Sequence, residues 1–355
     1  METTDIGRLI VFVLCCISFG STAVIAKGDR KKVLNFESGI ALSPETKLRI
    51  VSYNTFFTSV FPKDNGELRS TQRIRETKMN VAERVRQFAS WGKQAHADIF
   101  ALQETIYVEE DQEDTSADGI GRYFSKVTGQ KWHSVGDGQG RLVLSRHPIL
   151  WSGRVKNARG MAVLIDLPES IHSKDLLLIN LHFLSGRSED RQAIRKRMAW
   201  NVNRFFIDRV RAGAFEEIPK DIPIVICGDL NSEETDIPHN ILAKQDPEAT
   251  QGDGKSLLFL NSFPKELTSK NKNTFGRVVW SGDVGSSEFT EPNITLDHIM
   301  VQKDFMTVHH SFVFNSLITP QKTLEQYGVE REAVLVARDG QIEELDHLPV
   351  FLDLK

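Results

Sequence analysis

The sequence predicts an α/β chain in which two β-sheets pack face to face with helices outside. Three observations carry this. Strand-like apolar runs recur from about residue 48 to the C-terminus. Several of them are apolar on both faces, as strands buried between layers are. Helical and strand patterns are mixed along the chain without the strict alternation that a barrel or a dinucleotide-binding fold would show.

The first residues stand apart. Arg8 precedes an apolar run, Leu9–Phe19, and small residues follow at Ser21–Ala23 and Val24–Ala26. This is the pattern of a secretory signal peptide, with cleavage after Ala23 or Ala26. The run is short for a bilayer span, so a retained membrane anchor is the second reading. The expected organisation is a signal peptide over residues 1–26, a polar leader over 27–47 and one domain over 48–355. A secreted or periplasmic location follows.

Within the domain the expected strands are Leu48–Tyr53, Asp98–Leu102, Arg141–Ser145, Met161–Asp166, Leu176–Leu181, Ile222–Cys227, Ile294–Val301, Val308–Phe314 and Leu348–Leu354. Two helices are expected. One runs from Arg69 to Trp91 with Ile74, Val81, Val85 and Phe88 on one face. The other runs from Glu189 to Arg211 with Ile194, Met198, Val202 and Phe205 on one face. The acidic stretch Glu109–Gly121 reads as a loop, and Asn231–Ser256 and Lys270–Pro292 read as irregular.

Composition is that of a globular protein, with 40% apolar and 26% charged residues. The formal net charge of -4 counts against a general nucleic-acid binder but leaves room for a local basic groove. Of three cysteines, only Cys227 lies beyond the expected signal, so the domain has no internal disulfide to form. Cys227 sits in an apolar run and reads as a buried small hydrophobe.

Polar residues cluster at strand ends. Asn54 follows the first strand, Glu104 the second, and His182 ends Leu176–Leu181. Asp229 and Asn231 follow Ile222–Cys227, Asp297 lies in Ile294–Val301, and Asp346 and His347 precede the last strand. Such ends can meet at one rim, and Asp229 and Asn231, at i and i+2, can face one site. Carboxylates with amide oxygens form the ligand set of a hard cation such as Mg²⁺. Histidines beside them can bond phosphate oxygens or move protons.

In order, Ser52-Tyr-Asn54, Leu102-Gln-Glu104, Leu144-Ser-Arg-His-Pro148, Asn180-Leu-His182, Gly228-Asp-Leu-Asn231, Leu296-Asp-His-Ile299 and Leu345-Asp-His-Leu-Pro-Val350 resemble the motifs of the endonuclease/exonuclease/phosphatase superfamily. The resemblance implies a four-layered α/β sandwich and a phosphoric ester hydrolase dependent on Mg²⁺, with Mn²⁺ as a substitute. It implies roles as well. Glu104 is the principal metal ligand with Asn54 beside it, and Asp297 is a metal-linked partner. Asp229 orients or deprotonates the attacking water, and Asn231 holds the phosphate. His182 stabilises the phosphorane-like state or assists the leaving group, and His347, oriented by Asp346, contacts the scissile phosphate.

The subfamily is narrowed in part. Cys227 stands where the inositol polyphosphate 5-phosphatases carry a Trp, and Leu296-Asp297-His298 replaces their Cys-Asp-Arg. A His at 182, where abasic-site endonucleases usually have Tyr, is closer to deoxyribonuclease I and the neutral sphingomyelinases. The expected activity is a phosphodiesterase acting on phospholipid head groups. The alternatives are a secreted nuclease and a binding protein that keeps the fold without catalysis. The helix Arg187–Arg211 and the helix from Arg69 are basic, which fits a solvated face, nucleic-acid phosphates or anionic membranes. A hairpin carrying Phe275, Trp280 and Phe289 would suit peripheral contact with a lipid interface, base stacking or packing. A monomer is expected.

Overall fold

Strands come first, because a period of two decides which side chains reach the space between the sheets. In the computed structural model, one six-stranded sheet has the order β13-β16-β1-β2-β4-β3. Its members are β1 (Leu48–Asn54), β2 (Ile99–Gln103), β3 (His133–Gly136), β4 (Leu142–Ser145), β13 (Val308–Val313) and β16 (Val350–Leu354). A second has the order β5-β6-β7-β8-β12-β9. It is built from β5 (Ile149–Val155), β6 (Gly160–Ile165), β7 (Leu176–His182), β8 (Ile224–Asp229), β9 (Phe259–Asn261) and β12 (Asp297–Gln302). Both are mixed: β1 pairs β2 and β7 pairs β8 in parallel, and the other neighbours are antiparallel.

The structure describes residues 40–55, 67–68, 80–105, 117–232, 236–243, 259–261, 278–280, 287–289, 296–303, 305–316, 319–338, 341–344 and 347–355. All belong to the unit Asn35–Lys355. The expected signal and most of the polar leader, Phe275 and Asp346 therefore lie outside the described residues, as do Arg69 to Met79 of the first expected helix.

The sheets pack through β1 and β2 against β7, β8 and β12. The outer face of the first sheet carries Tyr53 and Phe100, which meet Phe88 and Trp91 of α1 (Val81–Gln94) in an aromatic cluster. Phe124 of α2 (Ala117–Thr128) joins it, with its ring centroid 5.6 Å from that of Phe88. On the far side, Leu177, Ile179 and Leu181 of β7 and Ile224 and Ile226 of β8 pack against α3, the continuous helix from Glu189 to Arg211. Helix, sheet, sheet and helix give four layers. No helix among the described residues is long and apolar enough to cross a membrane.

Four sequence expectations need correction. Ala117–Gly121 is the first turn of α2 and not loop: its buried face is built from Gly119, Ile120, Gly121 and Phe124, and glycines hide a helical period. Asn231–Ser256 contains a short helix, α4 (Ile237–Leu242). Phe205 is 65% exposed, while Phe206 is buried. The cause is a π-helical segment, Asn201–Ile207, whose wider turn shifts the apolar face by about one residue. The structure also adds a four-stranded sheet, β11-β10-β15-β14, made of β10 (Val278–Trp280), β11 (Ser287–Phe289), β14 (Leu335–Arg338) and β15 (Gln341–Glu344).

Between the main sheets the core is not purely apolar. Gln103 Nε2 donates to Asn180 Oδ1 at 2.8 Å, and Asn180 Nδ2 donates to Leu102 O and Leu142 O at 3.0 and 3.2 Å. These amides join β2 to β7 across the interface.

Candidate active site

The alternation that buries Leu177, Ile179 and Leu181 outward sends Leu178, Asn180 and His182 inward. In β8 the same rule sends Val225, Cys227 and Asp229 inward. Parallel register sets His182 opposite Asp229, and antiparallel register sets Asp297 opposite Asp229 on its other side. Asn54 ends β1 on the facing sheet, and its Nδ2 donates to Asp229 Oδ2 at 3.0 Å. Polar groups from four strands thus meet where the inter-sheet space opens.

Gly228 makes this approach possible. Its φ is +131°, and a Cβ there would lie 1.9 Å from Leu181 O. Two other residues of the site hold the left-handed backbone conformation, Glu104 at φ +54° and Asn231 at φ +48°. For a Glu this conformation is uncommon, and such strain concentrates at functional sites.

Asp229 is the hub. Its Oδ1 accepts the Asn231 backbone N–H at 2.8 Å, and its Oδ2 accepts Asn231 Nδ2 at 3.0 Å. Asn231 Nδ2 also donates to Phe183 O at 3.1 Å. His182 Nε2 lies 3.2 Å from Glu104 Oε1 and 3.7 Å from Asp229 Oδ2. His347 Nε2 lies 3.7 Å from the same Asp229 oxygen. Burial pushes the Asp229 carboxyl above the ordinary carboxylate range and Asp297 adds to it, while His347, His182 and the Asn231 N–H oppose the shift.

His347 Nδ1 donates to Asp297 Oδ2 at 2.7 Å. The Nδ1 hydrogen is thereby assigned, which leaves Nε2 facing Asp229. The resemblance gave the orienting role to Asp346. That residue lies outside the described residues, and the carboxylate in place on His347 is that of Asp297. His298, beside Asp297, points elsewhere: its Nε2 meets Ser232 O at 2.8 Å and pins the turn after Asn231.

The donor set suits a hard cation. Glu104, His182 and Asp229 offer ligand atoms within 4.8 Å of one another, as do Asp229, Asp297 and His347. Glu104 Oε2 is buried and has no hydrogen-bond partner among the described residues. A buried carboxylate oxygen in that condition is costly unless a cation meets it. Cys227 plays no chemical part: it is fully buried, and burial pushes its thiol up.

The structure brings together Asn54, Glu104, His182, Asp229, Asn231, Asp297 and His347. Sequence reasoning left Gln103 and Asn180 without a role, although both lie inside quoted motifs. Asn180 stands two positions before His182 on the same strand and so points into the same space, a signal available for it but not for Gln103, which is adjacent to Glu104.

Similarities to known proteins agree with this geometry. A sequence profile described as the Endonuclease/Exonuclease/phosphatase family matches residues 51–319. A search among curated proteins finds no match. A Bacteroides thetaiotaomicron protein of the endonuclease/exonuclease/phosphatase family superposes with a TM-score of 0.51 at 16% identity, covering 86% of this chain and 97% of its own. A mannosyl-6-phosphatase of Bacteroides thetaiotaomicron gives a TM-score of 0.51 at 16% identity, covering 87% of this chain and 99% of its own. At such identities the likeness concerns the fold. With the profile spanning most of the chain and the strand-end residues gathered at one rim, the chain belongs to the endonuclease/exonuclease/phosphatase family, whose members are hydrolases of phosphoester bonds.

Proposed function

We propose that the protein is a divalent-metal-dependent phosphodiesterase that works outside the cytoplasm. The observation that carries the chemistry is the buried Glu104 Oε2, without a hydrogen-bond partner among the described residues, in a cluster of carboxylates and histidines. Glu104 and Asn54 would hold a Mg²⁺ or Mn²⁺ ion, with Asp229 and Asp297 nearby. When bound, such an ion supplies Lewis-acid stabilisation of charge on the phosphoryl oxygens.

The chain's own groups do the rest. Asp229, with its carboxyl held above the ordinary range, accepts a proton from an attacking water. His182 Nε2 donates towards the phosphate, while Asn231, whose amide N–H groups are held by Asp229 Oδ2 and Phe183 O, fixes the Asp229 carboxylate in place. His347, with Nδ1 anchored on Asp297, presents Nε2 to the oxygens on which charge develops. Fixed donors of this kind stabilise the transition state without reorganising. Export is supported by the apolar segment Leu9–Phe19 and its small-residue exit. The sequence expectation of a phospholipid head group is one substrate reading and a nucleotide strand is the other. The intact set of site residues speaks against a non-catalytic binder.

The test is hydrolysis of bis(p-nitrophenyl) phosphate by purified protein with Mg²⁺ or Mn²⁺, then with EDTA. Activity that needs the metal and stops on chelation is expected. Full activity in EDTA, with bound metal measured, would overturn the metal reading.

A further inference from the structure

Beside the rim lies a second concavity of about 820 Å³, lined by Arg141, Arg154, Lys156, Arg159 and Arg197 and, among the described residues, by no Asp or Glu. Its place is fixed by the backbone of the site. The His182 N–H donates to Arg159 O at 3.0 Å. Thr105, next to Glu104, donates its N–H to Gly140 O at 3.1 Å, and Arg141 follows Gly140. The cations come from the approach to β4, the β5–β6 hairpin and α3.

Little in the fold neutralises them. Asp137 accepts Arg141 Nε at 2.6 Å, and its backbone O accepts a guanidinium N–H of Arg154 at 2.7 Å. Lys156, Arg159 and Arg197 form no ion pair among the described residues. Burial, aided by the charges of Arg159 and Arg154, holds the Arg141 guanidinium below its ordinary value in spite of Asp137. Arg159 also sits at φ +44°, a conformation that an Arg adopts rarely and a Gly would relax. Cations crowded against repulsion, with Asp137 paired to Arg141 alone, call for an anion from outside.

We propose that this concavity binds a second phosphate group of the substrate, one that is not cleaved, through Lys156, Arg159 and Arg197. Guanidinium forks match phosphate oxygens, and Lys adds a point charge. A head group ending in a quaternary ammonium would bring a cation against five cations, so the substrate class is a phosphate ester carrying at least two phosphates. The inference rests on the phosphoesterase reading of the adjoining rim.

The test uses the double variant Lys156→Glu/Arg197→Glu. Both residues are exposed and neither belongs to the rim. Three substrates are compared: bis(p-nitrophenyl) phosphate, the dinucleotide TpT, and its 5′-phosphorylated form pTpT. Wild type should prefer pTpT over TpT by roughly tenfold or more in kcat/KM, the scale of charge-assisted hydrogen bonds. In the variant that preference should vanish through KM, with bis(p-nitrophenyl) phosphate turned over as before. An equal preference in both proteins, or none in wild type, overturns the proposal. Failure of the phosphoesterase reading shows differently, as no metal-dependent turnover of any substrate. Calorimetric titration of metal-free protein with pyrophosphate then decides: binding weakened about tenfold in the variant supports the basic pocket, and equal binding overturns it. Pyrophosphate binding without a pTpT advantage assigns the pocket to free anions and rejects the substrate role.

Discussion

At the start of β1, Arg49 is fully buried and uses five N–H groups on five acceptors. Asp353 takes two of them at 2.6 and 2.8 Å, and the carbonyls of Ile40, Ala95 and Ala41 take three at 2.7, 2.9 and 3.1 Å. At the end of the same strand, Asn54 meets a cluster in which three carboxylates, Glu104, Asp229 and Asp297, gather with His182 and His347. The first cluster is closed, with charge matched and donors satisfied. The second carries surplus negative charge and a buried carboxylate oxygen without a partner among the described residues. Both are buried, so burial alone does not mark function. The surplus does, because a fold keeps uncompensated buried charge only where a bound group completes it.

The comparison breaks most plainly on activity. His347→Ala should lower turnover of a phosphodiester about 100- to 10,000-fold, the range for a positioned proton-transfer group. Its melting temperature should change far less than that of a variant in the closed cluster. Unchanged turnover per folded molecule would return His347 to a structural role on the last strand.

The mirror experiment is Asp353→Asn. It removes one charge of the closed pair and leaves Arg49 buried without its counter-ion, which costs roughly 3–5 kcal/mol. Denaturant titration should show that loss, while kcat of the folded fraction stays at the wild-type value. A loss below about 1 kcal/mol, the scale of exposed pairs, would mean that the Arg49 network is not closed as described.

Glu104→Gln sharpens the contrast. In EDTA the variant should melt at or above the wild-type temperature, since one repelling charge is gone. Saturating Mg²⁺ should raise wild-type stability by about 2.7 kcal/mol at a hundred times Kd. The variant should lose that response. A wild-type Mg²⁺ response kept in full by the variant would remove Glu104 from the metal site.

A smaller effect is expected from His239, whose ring lies 4.9 Å from that of His298. Burial holds its pKa down at about 4, below the ordinary 6.5. Between these values the unfolded chain takes up a proton that the folded chain does not. Stability should therefore fall as pH drops from about 6.5 towards 4, by roughly 3 kcal/mol, and fall little further from this group below that. His239→Gln should flatten that part of a stability–pH curve, and an unaltered curve would show that other groups set it.

Much of this was legible before any coordinates. Apolar runs ending in Asn54, Glu104, His182 and Asp229 announce strand ends, and strands of a packed pair of sheets share their rims. The partner of His347 was not legible. Asp297 lies fifty residues before it in the chain and arrives from β12 through the Asp297–Asp229 register. The edge strand β5 was missed because its burial merely alternates between partial and none along most of its length. The π segment in α3 was hidden because nothing in Asn201–Ile207 breaks an ordinary helical period, and only packing shows that Phe206 replaces Phe205. The basic α3 was legible as charge, yet its uses differ. Arg195 is buried on the carbonyls of Leu184 and Gly186, Arg204 lies over Trp200, and Arg197 lines the concavity.

The Gln103–Asn180 bridge has a consequence for how the molecule comes apart. Asn180 spends its amide on the opposite sheet and takes an N–H from Gln103, so sliding one sheet over the other would strand amide groups in a dry interior. Neither sheet can loosen while the other stays native, and the residues next to the bridge in the chain, Glu104 and His182, are carried along. Backbone amides of β2 and β7 should therefore exchange with deuterium only through global opening, at a common free energy, and the rim should vanish in the same cooperative step as the fold.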